Sequence, residues 1–132
     1  MKVFLDTSAL AKRYIQEPGS EELEDFFLGS VKVVVVSTLA LPEFAAALGR
    51  RVRDGEISQE SAAEALSELD KDWRHLFIKI PLTEDVALSA SSLAIQYPLK
   101  GADAVHLASA IASDVTLFIA SDKQLLKVSA TL

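Results

Sequence analysis

The chain has 132 residues, half of them hydrophobic and about a quarter charged, with a net charge of −6; this suits one domain spanning 1–132, large enough to bury a core unaided. It contains no cysteine, which excludes disulfides and thiolate metal sites and leaves oxygen or histidine to bind any metal. No apolar run is long enough to span a bilayer, and Asp6 interrupts what would be a signal-peptide core, so a cytoplasmic protein is expected.

In chain order, residues 2–5 read as a strand that ends in Asp6-Thr7-Ser8 and passes into a helix reaching about residue 16, with Leu10, Tyr14 and Ile15 as its apolar stripe. Pro18-Gly19 breaks that helix. Ser20 is expected to cap the next, whose inner face is Leu23, Phe26 and Phe27 and which Gly29 ends. Residues 31–36, nearly all valine, predict a strand buried on both faces. The helix after it tolerates Pro42 in its first turn, carries Glu43 there, and closes on Arg50, Arg51 and Arg53 before Gly55. Ser58 opens a helix with Ala62, Leu66, Leu69 and Trp73 inside, and residues 77–80 form a third strand. Thr83 caps a further helix with Val86, Leu88, Leu93 and Ile95 inside, which Pro98 terminates. After Lys100-Gly101 comes a small-residue helix containing Asp103 and His106. Residues 115–119 are the fourth strand, and Ser121-Asp122 starts a last helix burying Leu125, Leu126 and Val128. The alternation predicts an α/β fold: an open, mostly parallel sheet of at least four strands with helices on both faces.

Asp6, Glu43, Asp103 and Asp122 all fall at or just beyond strand ends or in the first turns of helices. In a parallel sheet these positions share one edge, where ligands collect. Four carboxylates crowded there without a cation would repel and in part protonate. Mg²⁺ or Mn²⁺, hard ions that prefer oxygen, would relieve the crowding and could bridge to phosphate, which blunts the objection that a net acidic chain should avoid nucleic acid. Each acid taken singly also reads as a helix cap or a solvated helix-face residue. Glu84 and Asp85 likewise follow a strand, so position alone does not single out the four.

The motifs resemble those of the PIN-domain nucleases, and most closely their VapC-like toxin branch. Phe4-Leu5-Asp6-Thr7-Ser8-Ala9-Leu10 is similar to that family's opening motif, and Leu41-Pro42-Glu43-Phe44 stands where its second acid lies. Gly101-Ala102-Asp103-Ala104-Val105-His106-Leu107-Ala108 matches the third motif and Ser121-Asp122-Lys123-Gln124-Leu125-Leu126 the fourth, in the family's order and across essentially the whole chain. Family members usually continue past the last helix with a glycine turn and a short final strand, whereas this sequence stops at Leu132, with little expected effect on the acidic site.

The resemblance implies a PIN-like fold and metal-dependent hydrolysis of RNA phosphodiesters by an endoribonuclease, the toxin of a toxin–antitoxin pair. Asp6, Glu43, Asp103 and Asp122 would hold one or two Mg²⁺ or Mn²⁺ ions, which help such a reaction by activating water, orienting it and stabilising charge on the phosphate. Ser8 and Ser121 are the candidates to steady a carboxylate, or are simply caps. His106, one helical turn after Asp103, is expected to be a packed residue bonded to backbone rather than a general base. Lys12, Arg13 and Lys100 are the candidates for RNA phosphate contact, with Arg50, Arg51 and Arg53 set further from the acids. A homodimer and a small cognate antitoxin are the implied partners. The competing readings are a PIN-like binding module without catalysis and a haloacid-dehalogenase-type Mg-dependent phosphotransferase; the latter normally wants a second Asp where Ser8 stands.

Overall fold

Every strand is separated from the next by helix, and the sheet that results is parallel throughout. The computed structural model describes residues 1–29, 33–121 and 123–130. They contain strands β1 (Lys2–Leu5), β2 (Val33–Ser37), β3 (Phe77–Ile80) and β4 (Leu117–Ile119). The helices are α1 (Thr7–Ala11), α2 (Ser20–Gly29), α3 (Ala40–Arg53), α4 (Gln59–His75), α5 (Glu84–Gln96), α6 (Gly101–Ala112) and α7 (Lys123–Ser129). The strand order is β3-β2-β1-β4, with all three pairings parallel.

Alternation along the central strands explains why residues 3–5 and 33–36 are apolar without a break. Val3 and Leu5 of β1, with Val34, Val36 and Phe77, face a core completed by Leu10 of α1, Phe44 and Leu48 of α3 and Leu69 of α4. Phe4 and Val35 point the other way and meet Ala110 of α6. Phe4 also stacks on Phe118 of β4 at 5.5 Å between ring centroids. Both faces of the sheet are therefore covered, as the sequence pattern requires. The small side chains Ala90, Ala104 and Ala108 let α5 and α6 approach closely beside Val86.

The expected caps at Ser58 and Thr83 form: Ser58 Oγ accepts from Ser61 N–H at 3.0 Å and Thr83 Oγ1 from Val86 N–H at 3.2 Å. Ser20 departs from expectation. It starts α2, but its buried hydroxyl accepts from Glu17 N–H and donates to Ile15 C=O, which pins the turn before the helix. Three further differences have physical reasons. The first helix ends at Ala11, because Lys12 and Arg13 N–H groups bond three residues back in tighter turns that carry Tyr14 to Asp72 and Phe44. The fourth strand begins only at Leu117, the residue level with Val3 of β1. On α5, Leu88 and Ile95 are 62% and 90% exposed rather than inside, since α6 takes the face bearing Val86 and Ala90. Leu66 and Leu126 are also partly exposed. Val31 lies outside the described residues. Among those described, no helix is long and apolar enough to cross a membrane.

Candidate active site

Strand register brings the acids' elements to one edge. Leu5 at the end of β1 is level with Ile119 at the end of β4, and Ser37 at the end of β2 is level with Ile80. The chain runs outward from β1 to β3 and then returns to add β4 on the other side of β1. A crevice opens at such a reversal, at the carboxyl ends of the two diverging strands. Asp6, the residue after β1, stands there, its N–H donated to Ile119 C=O at 3.2 Å.

Asp6 is buried and is held from two sides. One carboxylate oxygen accepts from Ala9 N–H at 2.9 Å, which makes Asp6 the cap of α1. The Ser8 hydroxyl sits 2.8 and 3.0 Å from the two oxygens. Asp6 thus caps α1 and faces the crevice at once, so a capping role does not exclude a ligand role for the same carboxylate. Ser8 Oγ in turn accepts from Ser121 N–H at 3.0 Å, tying the loop after β4 to the start of α1. Burial pushes the Asp6 carboxyl above the ordinary carboxylate range against these hydrogen bonds, and the neighbouring Asp103 charge pushes the same way.

Glu43 enters from the first turn of α3. Its Oε1 receives a hydrogen bond from Thr7 Oγ1 at 2.6 Å and lies 2.6 Å from His106 Nε2. His106 is buried on α6, with its ring edge toward Phe4. Its Nδ1 has no hydrogen-bond partner among the described residues. A proton there would be an unpaired buried donor, so the proton belongs on Nε2, where Glu43 accepts it. The His106 bond, followed by that from Thr7, holds the Glu43 carboxyl below its usual range despite partial burial. His106 is packed, as expected, but its partner is an acidic side chain of the site rather than backbone.

Asp6, Glu43, Asp103, Ser8 and Ser121 line one open cleft of about 640 Å³, together with Thr7 and His106. Lys12 and Lys100 line it too. Arg13 does not: its guanidinium lies over the Phe27 ring at 4.5 Å and 4.0 Å from Asp72. Asp122 lies outside the described residues. Arg50 and Arg51, expected to be remote, line the cleft after all. They follow Glu43 by seven and eight positions, which on a helix keeps them in its stripe; that spacing was the signal for them. Thr7 and Glu17 are further lining residues that the sequence did not mark. Among the described residues, no three acidic or histidine side chains already stand close enough to cage an ion. The donor chemistry nevertheless fits a hard divalent cation: oxygen ligands, a buried carboxyl raised by desolvation, and a second acid adding to its repulsion.

A PIN domain family model matches residues 3–130. The chain is 35% identical over 113 residues to Ribonuclease VapC49 of Mycobacterium tuberculosis, covering 83% of this chain and 75% of that protein. Among solved structures, its fold is similar to that of Mycobacterium tuberculosis VapC20, described as a sarcin-ricin-loop-cleaving toxin, with a TM-score of 0.75 at 18% identity over 95% of this chain and 93% of the other. It is also similar to a chain in a toxin–antitoxin complex from Klebsiella pneumoniae, with a TM-score of 0.62 at 20% identity over 92% and 88% of the two chains.

Proposed function

Because the chain belongs to the PIN-domain family, we propose that it is a divalent-metal-dependent endoribonuclease and the toxin of a toxin–antitoxin pair. The observation that carries this reading is the convergence of Asp6, Glu43 and Asp103 from three separate elements on one cleft that also holds Lys12 and Lys100. A pure binding module has no need to crowd acids around a buried carboxyl. Kinship at 35% identity with a protein named a ribonuclease supports the same activity.

Asp6, Glu43, Asp103 and, by its motif, Asp122 would hold the ion, Mg²⁺ or Mn²⁺. Bound there, it supplies Lewis-acid chemistry: activation of water and relief of negative charge developing on the phosphate. The chain's own residues set the stage. Ser8 and Ala9 N–H fix the Asp6 carboxylate in one rotamer. Thr7 and His106 both engage Oε1 of Glu43, which leaves Oε2 without a bond to either of them. Lys12 and Lys100 offer cations to the RNA backbone. This assignment predicts that Mn²⁺ binding, measured by calorimetry, is lost or greatly weakened in Glu43→Gln; retention of wild-type affinity would remove Glu43 from the ligand set.

The phosphate contacts make a separate prediction. Lys12→Ala is expected to weaken RNA binding and to flatten the plot of log affinity against log salt by roughly 0.7, the share of one single-strand phosphate. Arg13→Ala, whose guanidinium is committed to Phe27, should leave that slope unchanged. The reverse pattern would reassign the contact from Lys12 to Arg13.

An acidic cleft favours Arg or Lys from an inhibitor, and the likeness to a chain in a toxin–antitoxin complex supports a small antitoxin as partner. A homodimer is part of the same reading, with Leu88 and Ile95, one heptad apart and exposed on α5, as an apolar face to cover. A strict monomer at micromolar concentration would count against it. The absence of cysteine suits a cytoplasmic location.

A further inference from the structure

Beside the acids, the cleft carries an ion-pair bridge that the hydrolytic chemistry does not use. Glu17 accepts from Lys12 Nζ through one carboxylate oxygen at 3.2 Å and from Arg51 Nη2 through the other at 2.6 Å. All three residues line the same cleft as Asp6 and Glu43. The bridge is held by a stiff turn. Lys12 Nζ also donates to Pro18 C=O at 2.8 Å, and Ser20 Oγ ties Glu17 N–H to Ile15 C=O. Gly19 has φ +97°, with the Lys12 stem packed where a side chain would stand.

Resting on the nuclease reading above, we infer that Glu17 is a stand-in for an RNA phosphate. It occupies the Lys12–Arg51 pair while the cleft is empty and gives way when the strand's backbone enters. The chemistry matches: a carboxylate and a phosphodiester each present two anionic oxygens to paired cations, and an arginine fork serves either. Two cations left unpaired beside a cluster of carboxylates would instead be drawn to the acids that must hold the metal. Glu17 keeps them apart from those acids, at the cost of competing with substrate. Only its side chain needs to rotate, because the turn is anchored through backbone and Ser20.

The alternative role, a strut that permanently aims Lys12 and Arg51, predicts the opposite sign. The test is anisotropy of a labelled single-stranded RNA at several salt concentrations with Mg²⁺ present, in an Asp6→Asn background so that the RNA stays intact. Glu17→Gln, close in shape, is expected to tighten binding about tenfold with an unchanged salt slope, since the same phosphates are engaged. Glu56→Gln removes a charge that also lines the cleft but for which no ion pair is seen among the described residues. It should gain no more than about threefold, the part due to net charge alone. Arg51→Ala should weaken binding and reduce the slope by roughly 0.7. Weaker binding by Glu17→Gln, or equal gains in Glu17→Gln and Glu56→Gln, would overturn the inference while leaving the nuclease reading intact. RNA binding by none of the variants would overturn that reading and the inference with it.

Discussion

Asp6→Asn is expected to reduce RNA cleavage by at least about a hundredfold, more than the ten- to hundredfold typical of groups that merely support a metal ligand, and yet to stabilise the metal-free protein. The two effects share one cause. Asp6 is buried at the crevice beside Asp103, and desolvation raises its pKa, so its ionised form is costly to fold without a cation. Asparagine keeps the oxygen that accepts from Ala9 N–H and caps α1, but it carries no charge. The sign follows from linkage. With a folded pKa above 3.8, Asp6 holds its proton in the native state over a pH window in which the unfolded chain has lost it. Its contribution to stability is therefore greatest at low pH and falls as pH rises through the folded value. The amide of the variant does not titrate, so its advantage should appear at neutral pH as a higher melting temperature and shrink on acidification. Added Mn²⁺ should raise the melting temperature of the wild type and leave the variant nearly unmoved. A variant that melts lower than the wild type at neutral pH without metal would contradict this account of the crevice.

The second large effect is expected at His106. Its Nε2 bond to Glu43 is short and lies in a buried setting against Phe4, so His106→Ala removes a donor and opens a cavity between α6 and β1. Stability should fall by about 2–3 kcal/mol. Affinity for Mn²⁺ should also fall about 10- to 100-fold, because Glu43 loses one of the two bonds that orient Oε1, the one that does most to hold its pKa down. The pH dependence reverses that of Asp6. A depressed carboxyl contributes stability that is present above its unfolded pKa and lost as pH falls through the folded one, and this contribution should diminish in His106→Ala. Thr7 separates support of the site from packing. Thr7→Val should lower metal affinity with little loss of stability, and Thr7→Ser, which keeps the hydroxyl, should restore it. Calorimetry on protein shown to be folded decides the matter. Unchanged affinity per folded molecule in both His106→Ala and Thr7→Val would reduce the pair to packing.

Much of this arrangement was readable in the residue order, because the features that carry it are local. Strand β3 and the Ser58 and Thr83 caps depend on neighbours within a few positions, and all stand where expected. So do the parallel sheet and the edge at which Asp6, Glu43 and Asp103 meet, since helix alternating with strand constrains topology strongly. What the order hid was set by tertiary partners. Leu88 and Ile95 keep a helical stripe, yet the small residues of α6 select the Val86–Ala90 face instead. Arg13 is as basic as Lys12, and only the presence of Phe27 and Asp72 turns it away from the cleft. The Glu43–His106–Thr7 cluster joins residues 36, 63 and 99 positions apart, and no local pattern announces such a contact. Nothing in the residue order marks Glu17; the turn at Gly19 brings it onto Lys12 and Arg51.

Whether these acids cut RNA with the help of a divalent ion is decided by incubating purified protein with structured and single-stranded RNAs and Mg²⁺ or Mn²⁺, beside an EDTA control and Asp6→Asn. Internal cleavage is expected that requires the metal and disappears in both controls. Cleavage that persists in EDTA or in Asp6→Asn would contradict it.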